Sequence, residues 1–331
     1  MKQLFGIVTA EIPAALREDE IETLTLNDLT VLYRETDISD YRLLDQTGLF
    51  QCIAEHQEIV EQVAQEMALL PIQFGALLED EQQIVSMLRQ HSDRFHALFD
   101  EMAQVVQMEL SVLWDAAEVN AEITSELGLA AGSNTAEDAQ EEGGLLSGGE
   151  DLYNQLRLGQ RQKGVEQMVQ QQMDEVAQSI MRSTQDEDAQ TAVRMWVLIG
   201  RDAQDQFTQA AEALQQELGS QYKVRWQGPQ RPHHFIRLTV KTLKPLLIEH
   251  ARELLGVGLT SNLTEIKDAY YNHPHHIKPD RNSDLDSIVK MTELAQSYKL
   301  LKELGESQEG EICYLDEEAV KQTVVVGIKR M

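Results

Sequence analysis

The chain has 331 residues, 42% of them hydrophobic and 25% charged, and carries a formal net charge of −28. That length suffices for two or three domains with cores of their own, and no run of about 18 apolar residues exists to cross a membrane. The acidity is uneven: residues 1–150 hold 30 Asp and Glu against 6 Lys and Arg, and residues 151–331 hold 26 against 22. A surface so acidic repels phosphate backbones and anionic lipid, so neither nucleic acid nor membrane is expected as a partner. It reads as a solubilising surface or, more sharply, as an anionic coat that keeps an aggregation-prone client dispersed. The start "MKQLFGIVTAEIPAAL" lacks the apolar core and cleavage site of a signal peptide. Cys52 and Cys313 are far apart and form no CxxC pair, which suits reduced thiols in a cytoplasmic protein.

In chain order, "QLFGIV" (3–8) and "LTVLYR" (29–34) read as short strands rich in Leu, Val, Ile and aromatic residues. Between 49 and 69 the period becomes helical through Ile53, Ile59, Val60, Val63 and Met67. "LLPIQFGALL" (69–78) follows as a strand buried on both faces, bracketed by Pro71 and Gly75, where a glycine would allow close packing. A second helix runs through Ile84, Met87, Leu88, Phe95, Leu98 and Phe99, with acids at 79–81 placed where the helix dipole favours them. "VVQMELSVLWD" (105–115) alternates as a further strand. This order implies an α+β domain with an antiparallel or mixed sheet and helices on one face, over 1–116.

A helix and an acidic, Gly-rich linker then fill 117–150, clearest in "AAGSNTAEDAQEEGGLLSGGE". The region 151–243 repeats the plan as a second α+β domain. It opens on a Gln-rich helix over 151–183, spaced by Val165, Met168, Val169, Met173, Val176 and Ile180. A strand "RMWVLIGR", a helix over 203–218 and a strand "YKVRWQGP" follow, the last turning out of the sheet at Gly228-Pro229. The pattern is helical again over 250–306, and the tail, 307–331, suits a short strand pair.

With those residues in view, the chain resembles the gas-vesicle protein F/L family. The likeness lies in "LFGIV", "IAEHQEIVEQV" and "LLPIQFGALLEDEQQI" in the first domain, and in "VRWQGPQRPHHFIRL" in the second, over roughly residues 1–240. Gln73 stands where that family usually has Arg, and Arg231, His233 and His234 fall within its proline-aromatic turn. The resemblance implies an accessory protein of gas-vesicle assembly, cytoplasmic or on the vesicle. It would bind the hydrophobic shell protein and other accessory proteins, without catalysis and without a cofactor. Its motifs make Pro71, Phe74, Gly75, Gly228, Pro229 and Phe235 the candidate contact or motif residues. Those positions can equally serve only to hold the fold.

Residues 251–304 resemble a J-domain, the module through which co-chaperones engage DnaK-type ATPases. "ELLGV", "EIKDAYYNHPHHIKPDRN" and "MTELAQSYKLLKE" follow its spacing without a gap. The family's His-Pro-Asp signature is here Lys278-Pro279-Asp280, and Pro274 falls inside what would be its second helix. This implies a degenerate J-like module kept for protein binding, with a co-chaperone that recruits a DnaK-type chaperone as the alternative function.

Enzyme signatures are absent from the sequence. "GGLLSGGED" and "GVGLTS" lack the Lys of a phosphate loop, His56 has no second His four residues on, and no Ser sits in a G-x-S-x-G elbow. His273 and His276, with Asp280, form at most an incomplete zinc set, so no metal is expected.

Overall fold

The computed structural model describes residues 1–9, 21–115, 117–119, 121–123, 125, 146–183, 190–274, 285–308 and 310–331. The elements begin with β1 (Lys2–Val8), β2 (Glu22–Leu26), β3 (Leu29–Glu35), α1 (Gln46–Glu66), β4 (Leu69–Pro71), β5 (Leu77–Leu78) and α2 (Glu81–Ala103). Then come β6 (Val105–Trp114), α3 (Leu146–Met173), β7 (Ala177–Arg182), β8 (Thr191–Gly200), α4 (Gln204–Leu218) and β9 (Tyr222–Gln230). The last are β10 (Ile236–Thr242), α5 (Pro245–Leu255), β11 (Thr260–Ser261), α6 (Leu263–Tyr271), α7 (Leu285–Glu306), β12 (Cys313–Tyr314), α8 (Glu317–Gln322) and β13 (Val324–Arg330). The fold is α+β with antiparallel sheets.

Two compact units result. A central unit comprises residues 101–235 with Met331, and a terminal unit joins residues 1–100 to 236–330. This departs from the expected succession of a domain at 1–116, a second at 151–243 and a separate C-terminal module. Strand β6, expected in the first domain, is an inner strand of the central sheet, whose order is β7-β8-β6-β9. The expected acidic linker falls largely on 126–145, outside the described residues.

The central unit follows its hydrophobic pattern closely. Along β6, alternate residues such as Leu110, Val112 and Trp114 are buried and Glu109, Ser111 and Leu113 are less so, the period of a strand with one face on a core. Helix α4 buries Phe207, Ala211, Leu214 and Leu218 on one stripe. They join Val165, Val169 and Met173 of α3 and the inner strands in one cluster. Each large apolar side chain buried there contributes about 1.5–3 kcal/mol. The Gln-rich helix ends at Met173, not 183, because the following residues form β7, paired with β8 from Ala177 to Arg182. Val176 and Ile180 still pack on the core, but outside a helix.

The terminal unit has the strand order β2-β3-β1-β4, with β5 also on β1. Helix α1, begun by Asp45 accepting from the Gly48 amide at 2.8 Å, packs Ile59, Val63 and Ala64 on Phe5, Leu32 and Leu69. Tyr33, next to Leu32 and therefore on the other face, donates to Glu81 Oε1 at 2.8 Å at the start of α2. Residues Leu4–Val8 are buried consecutively, as expected of a strand covered on both faces. Helices thus lie on both sides of this sheet, not on one.

The C-terminal residues complete this unit. β10 and β13 pair in register from Ile236↔Arg330 to Thr242↔Val324, and Ile72 bridges Leu238 beyond the end of β4. Helix α2 covers the backbone of the returning chain. Gln83 Nε2 donates to the Lys321 carbonyl at 2.8 Å, His91 Nε2 to Val324 at 3.1 Å and Arg94 Nη1 to Val326 at 2.9 Å. Carbonyls that an edge strand would leave open are satisfied by side chains. Helices α5, α6 and α7 bury Ile248, Ala251, Leu255, Ile266, Leu294, Leu301 and Leu304 in a cluster shared with Leu315, Val320 and Val325. The expected tail is therefore structural: it contains β12, α8 and β13. Helix α6 carries a complete capping box, Asn262 with Glu265, and ends at Tyr271. Pro274 lies beyond the helix and not inside it. Lys278, Pro279 and Asp280, like His275 and His276, fall outside the described residues.

Candidate docking surface

The "PIQFG" segment is where β4 gives out. Pro71 is buried and opposite Gly6. At Gly6 a Cβ would collide with the Leu69 side chain and lie 2.9 Å from the Leu70 carbonyl oxygen, so no other residue fits there. Beyond Ile72 the Gln73 amide donates to the Leu238 carbonyl at 2.7 Å. Phe74 is half-buried against Tyr41, with ring centroids 4.5 Å apart, and meets the edge of His56 at 5.6 Å. Gly75 takes φ 93°, and a Cβ there would have nothing within 4 Å of it. Its requirement is conformational, and the close approach expected there is absent.

Close approach is instead the property of Gly228. Its φ is 130°, and a Cβ would stand 2.8 Å from Met108 Sδ and 3.1 Å from the Gln107 oxygen. The Gly228-Pro229 peptide is cis and stays within β9, which pairs with β6 through a register shift between Gln107 and Glu109. The turn expected at this dipeptide comes later. His233 N donates to the Arg231 carbonyl at 2.9 Å and Phe235 N to that of Pro232 at 3.2 Å. His234 stacks on Trp196 at 4.2 Å, and its Nδ1 lies 2.9 Å from Nε2 of the fully buried Gln107. Phe235 is buried, so it supports the turn and offers no surface.

Of the sequence candidates, Pro71, Phe74 and Gly75 come together in the terminal unit, and Gly228, Pro229 and Phe235 in the central one. Near the first group, Leu43 stands exposed two residues beyond Tyr41, whose ring meets Phe74. Leu43, Phe50, Leu246 and Leu247 are all more than half exposed, with Leu246 at 84%. Asp40, which caps the short turn carrying Tyr41 and Leu43, has its carboxyl held down to about 2, first by its bond to Arg42 and more weakly by Lys244.

Several residues at this surface escaped the sequence. His56 is buried, and its Nε2 donates to the Leu4 carbonyl at 3.3 Å. Burial holds its ring down to about 4, and the nearby Arg237 charge pushes the same way, so the imidazole is neutral at pH 7. Burial also lowers the guanidinium of Arg237. The Tyr41 hydroxyl is buried without a hydrogen-bond partner and is pushed up to about 12 by burial. The strand alternation of "FIRLTV" could have placed Arg237 opposite Leu238. Its proximity to His56 depends on residues some 180 positions apart, for which the sequence holds no signal. Among the described residues no group of three His, Cys, Asp or Glu could hold a metal. No helix of the described residues is long and apolar enough to cross a membrane.

Comparison with known proteins gives one consistent result. Residues 3–237 match the family described as gas vesicle synthesis protein GvpL/GvpF. Gas vesicle protein F of Dolichospermum flosaquae is 24% identical over 255 residues, spanning 71% of this chain and 97% of that relative. The crystal structure of GvpF from Anabaena sp. PCC7120 covers 70% of this chain and 96% of its own, at 19% identity and a TM-score of 0.45. That of GvpF from Microcystis aeruginosa covers 70% and 97%, at 19% identity and a TM-score of 0.37.

Proposed function

The chain belongs to the gas vesicle synthesis protein GvpL/GvpF family, and on that premise we propose that it is a non-enzymatic assembly factor that binds the hydrophobic shell protein of the gas vesicle. The family match over residues 3–237 is the observation that carries this reading. Its physical support is a pairing of opposites. The chain carries a net charge of −28, which keeps a complex dispersed. Yet the terminal unit turns Leu43, Phe50, Leu246 and Leu247 outward, where an apolar client can be held. The work is binding and delivery to the growing vesicle, in the cytoplasm and at the vesicle surface, alongside other accessory proteins. Phe74 packs on Tyr41, next to the turn that exposes Leu43, and Pro71 and Gly75 shape the segment that carries Phe74.

Co-expression with the shell protein tests this. Co-purification of the two, and loss of vesicles in a deletion strain, are the expected results. Failure to co-purify, with vesicles still forming in the deletion strain, overturns the reading. The alternative, a co-chaperone that recruits a DnaK-type ATPase, has no observation among the described residues in its favour.

A further inference from the structure

Arg237 and Lys329 stand directly opposite each other on β10 and β13. Such partners share a face of the sheet, with Cβ atoms about 5 Å apart, and like charges there repel. Neither has a carboxylate or hydrogen-bond partner among the described residues, although acids outnumber bases 56 to 28 in the chain. Cations nearby are provided for. Lys241, four positions along β10 from Arg237 and on the same face, meets Glu303 at 2.8 Å. Arg42 holds Asp40 at 2.6 Å, and Arg34 faces Glu55 at 3.7 Å. Lys329 is exposed, whereas Arg237 is half-buried, so its charge has given up part of its hydration without a counter-ion.

The surroundings define what would complete it. The segment after β4 reaches β10 beside Arg237, with Ile72 bridging Leu238 and the Gln73 amide donating to its carbonyl; Phe74 follows, its ring against His56 and Tyr41, and the Tyr41 hydroxyl is a buried donor with nothing to donate to. Two unneutralised cations suit an anion; apolar neighbours and a strongly acidic chain disfavour a nucleic acid or a lipid headgroup array. We infer that the Arg237–Lys329 pair receives a carboxylate carried on an apolar segment of a partner protein, with an apolar side chain flanking that carboxylate resting on Phe74. Lys329 lies beyond the stretch matched to the family, which ends at residue 237, so half of the pair is supplied by the C-terminal segment. The inference goes beyond shell-protein binding and does not depend on which protein supplies the segment.

Two dye-labelled pentapeptides, Leu-Val-Glu-Leu-Leu and Leu-Val-Gln-Leu-Leu with blocked termini, test it by fluorescence anisotropy on the full-length protein. The expected result is at least about tenfold tighter binding of the Glu peptide, as a charge-assisted contact requires. That preference should vanish in Arg237→Gln and shrink in Lys329→Gln. The second variant alters an exposed side chain and leaves the fold intact, so loss of preference there cannot be ascribed to misfolding. Equal affinity for the two peptides, binding of neither, or a preference kept in both variants would overturn the proposal. So would displacement of the Glu peptide by inorganic phosphate as readily as by acetate at matched ionic strength, because the site would then read charge alone. Co-purification with the shell protein is scored separately, so either idea can fail without the other.

Discussion

The central unit is drawn almost wholly from one continuous stretch, residues 101–235, whereas the terminal unit needs both ends of the chain. Both are built on antiparallel sheets of short strands. They differ in how their last strand is obtained. In the central unit β9 follows α4 after a short connection and pairs with β6. In the terminal unit β13 returns over 200 residues after β4, and α2 side chains at Gln83, His91 and Arg94 hold the returning backbone. A unit closed by distant segments costs more chain entropy to assemble and depends on the tail. The three tryptophans, Trp114, Trp196 and Trp226, all lie in the central unit, so their fluorescence follows that unit alone.

This contrast can be broken outright by truncation after Thr323. Loss of β13 removes the whole pairing with β10 and the contacts of His91 and Arg94 with its backbone, an expected destabilisation of the terminal unit above about 4 kcal/mol. Amide exchange should show β10 and α5 unprotected while tryptophan fluorescence keeps its native unfolding midpoint. Coincident loss of both signals would mean that the two units fold as one.

Next in size is Gly228→Ala, confined to the central unit. Its φ of 130° and the Met108 sulfur 2.8 Å from the new Cβ together should cost about 2–4 kcal/mol. Urea unfolding followed by tryptophan fluorescence measures it, and a change under about 1 kcal/mol would show that Met108 moves aside freely.

His56 offers a pH test restricted to the terminal unit. Its folded-state value, about 4, lies below the ordinary 6.5 because of burial. The unfolded chain therefore binds the proton more readily between these values, and stability rises with pH across that window. The contribution is fully present above about pH 6.5 and is lost as pH falls toward 4, amounting to at most about 3 kcal/mol. Exchange protection of β1 at pH 4.5 and 7.5 should show this slope, and His56→Leu should flatten it. An unchanged slope in that variant would assign the effect to other groups.

Gly75→Ala should be the smallest of these. The position is open, with φ 93° as the only obstacle, so about 1–2 kcal/mol is expected, read from the same exchange experiment. A loss as large as that at Gly228 would reveal a close packing that the structure does not contain.

Much of this was legible in the letters. The periods of α1, α4 and β6 stand out because each buries one face and leaves the other more exposed. The glycines were recognisable too, but their reasons were exchanged: Gly75 is needed for its backbone angle and Gly228 for contact with Met108. Neither reason is visible without the facing strand. The same holds for the turn, placed at Gly228-Pro229 from composition and found at Arg231–Phe235 because a bulge keeps the dipeptide in β9.

By itself the sequence determined the α+β class, most helices, the uneven acidity and the family, since all of these depend on local period, composition and motif order. Tertiary structure alone decided that β6 belongs to the central sheet and that the tail closes the terminal one. It also decided that Arg237 stands opposite Lys329. Those facts are pairings between distant segments. Hydrophobic patterning says that a strand must find a partner, but it does not say which one.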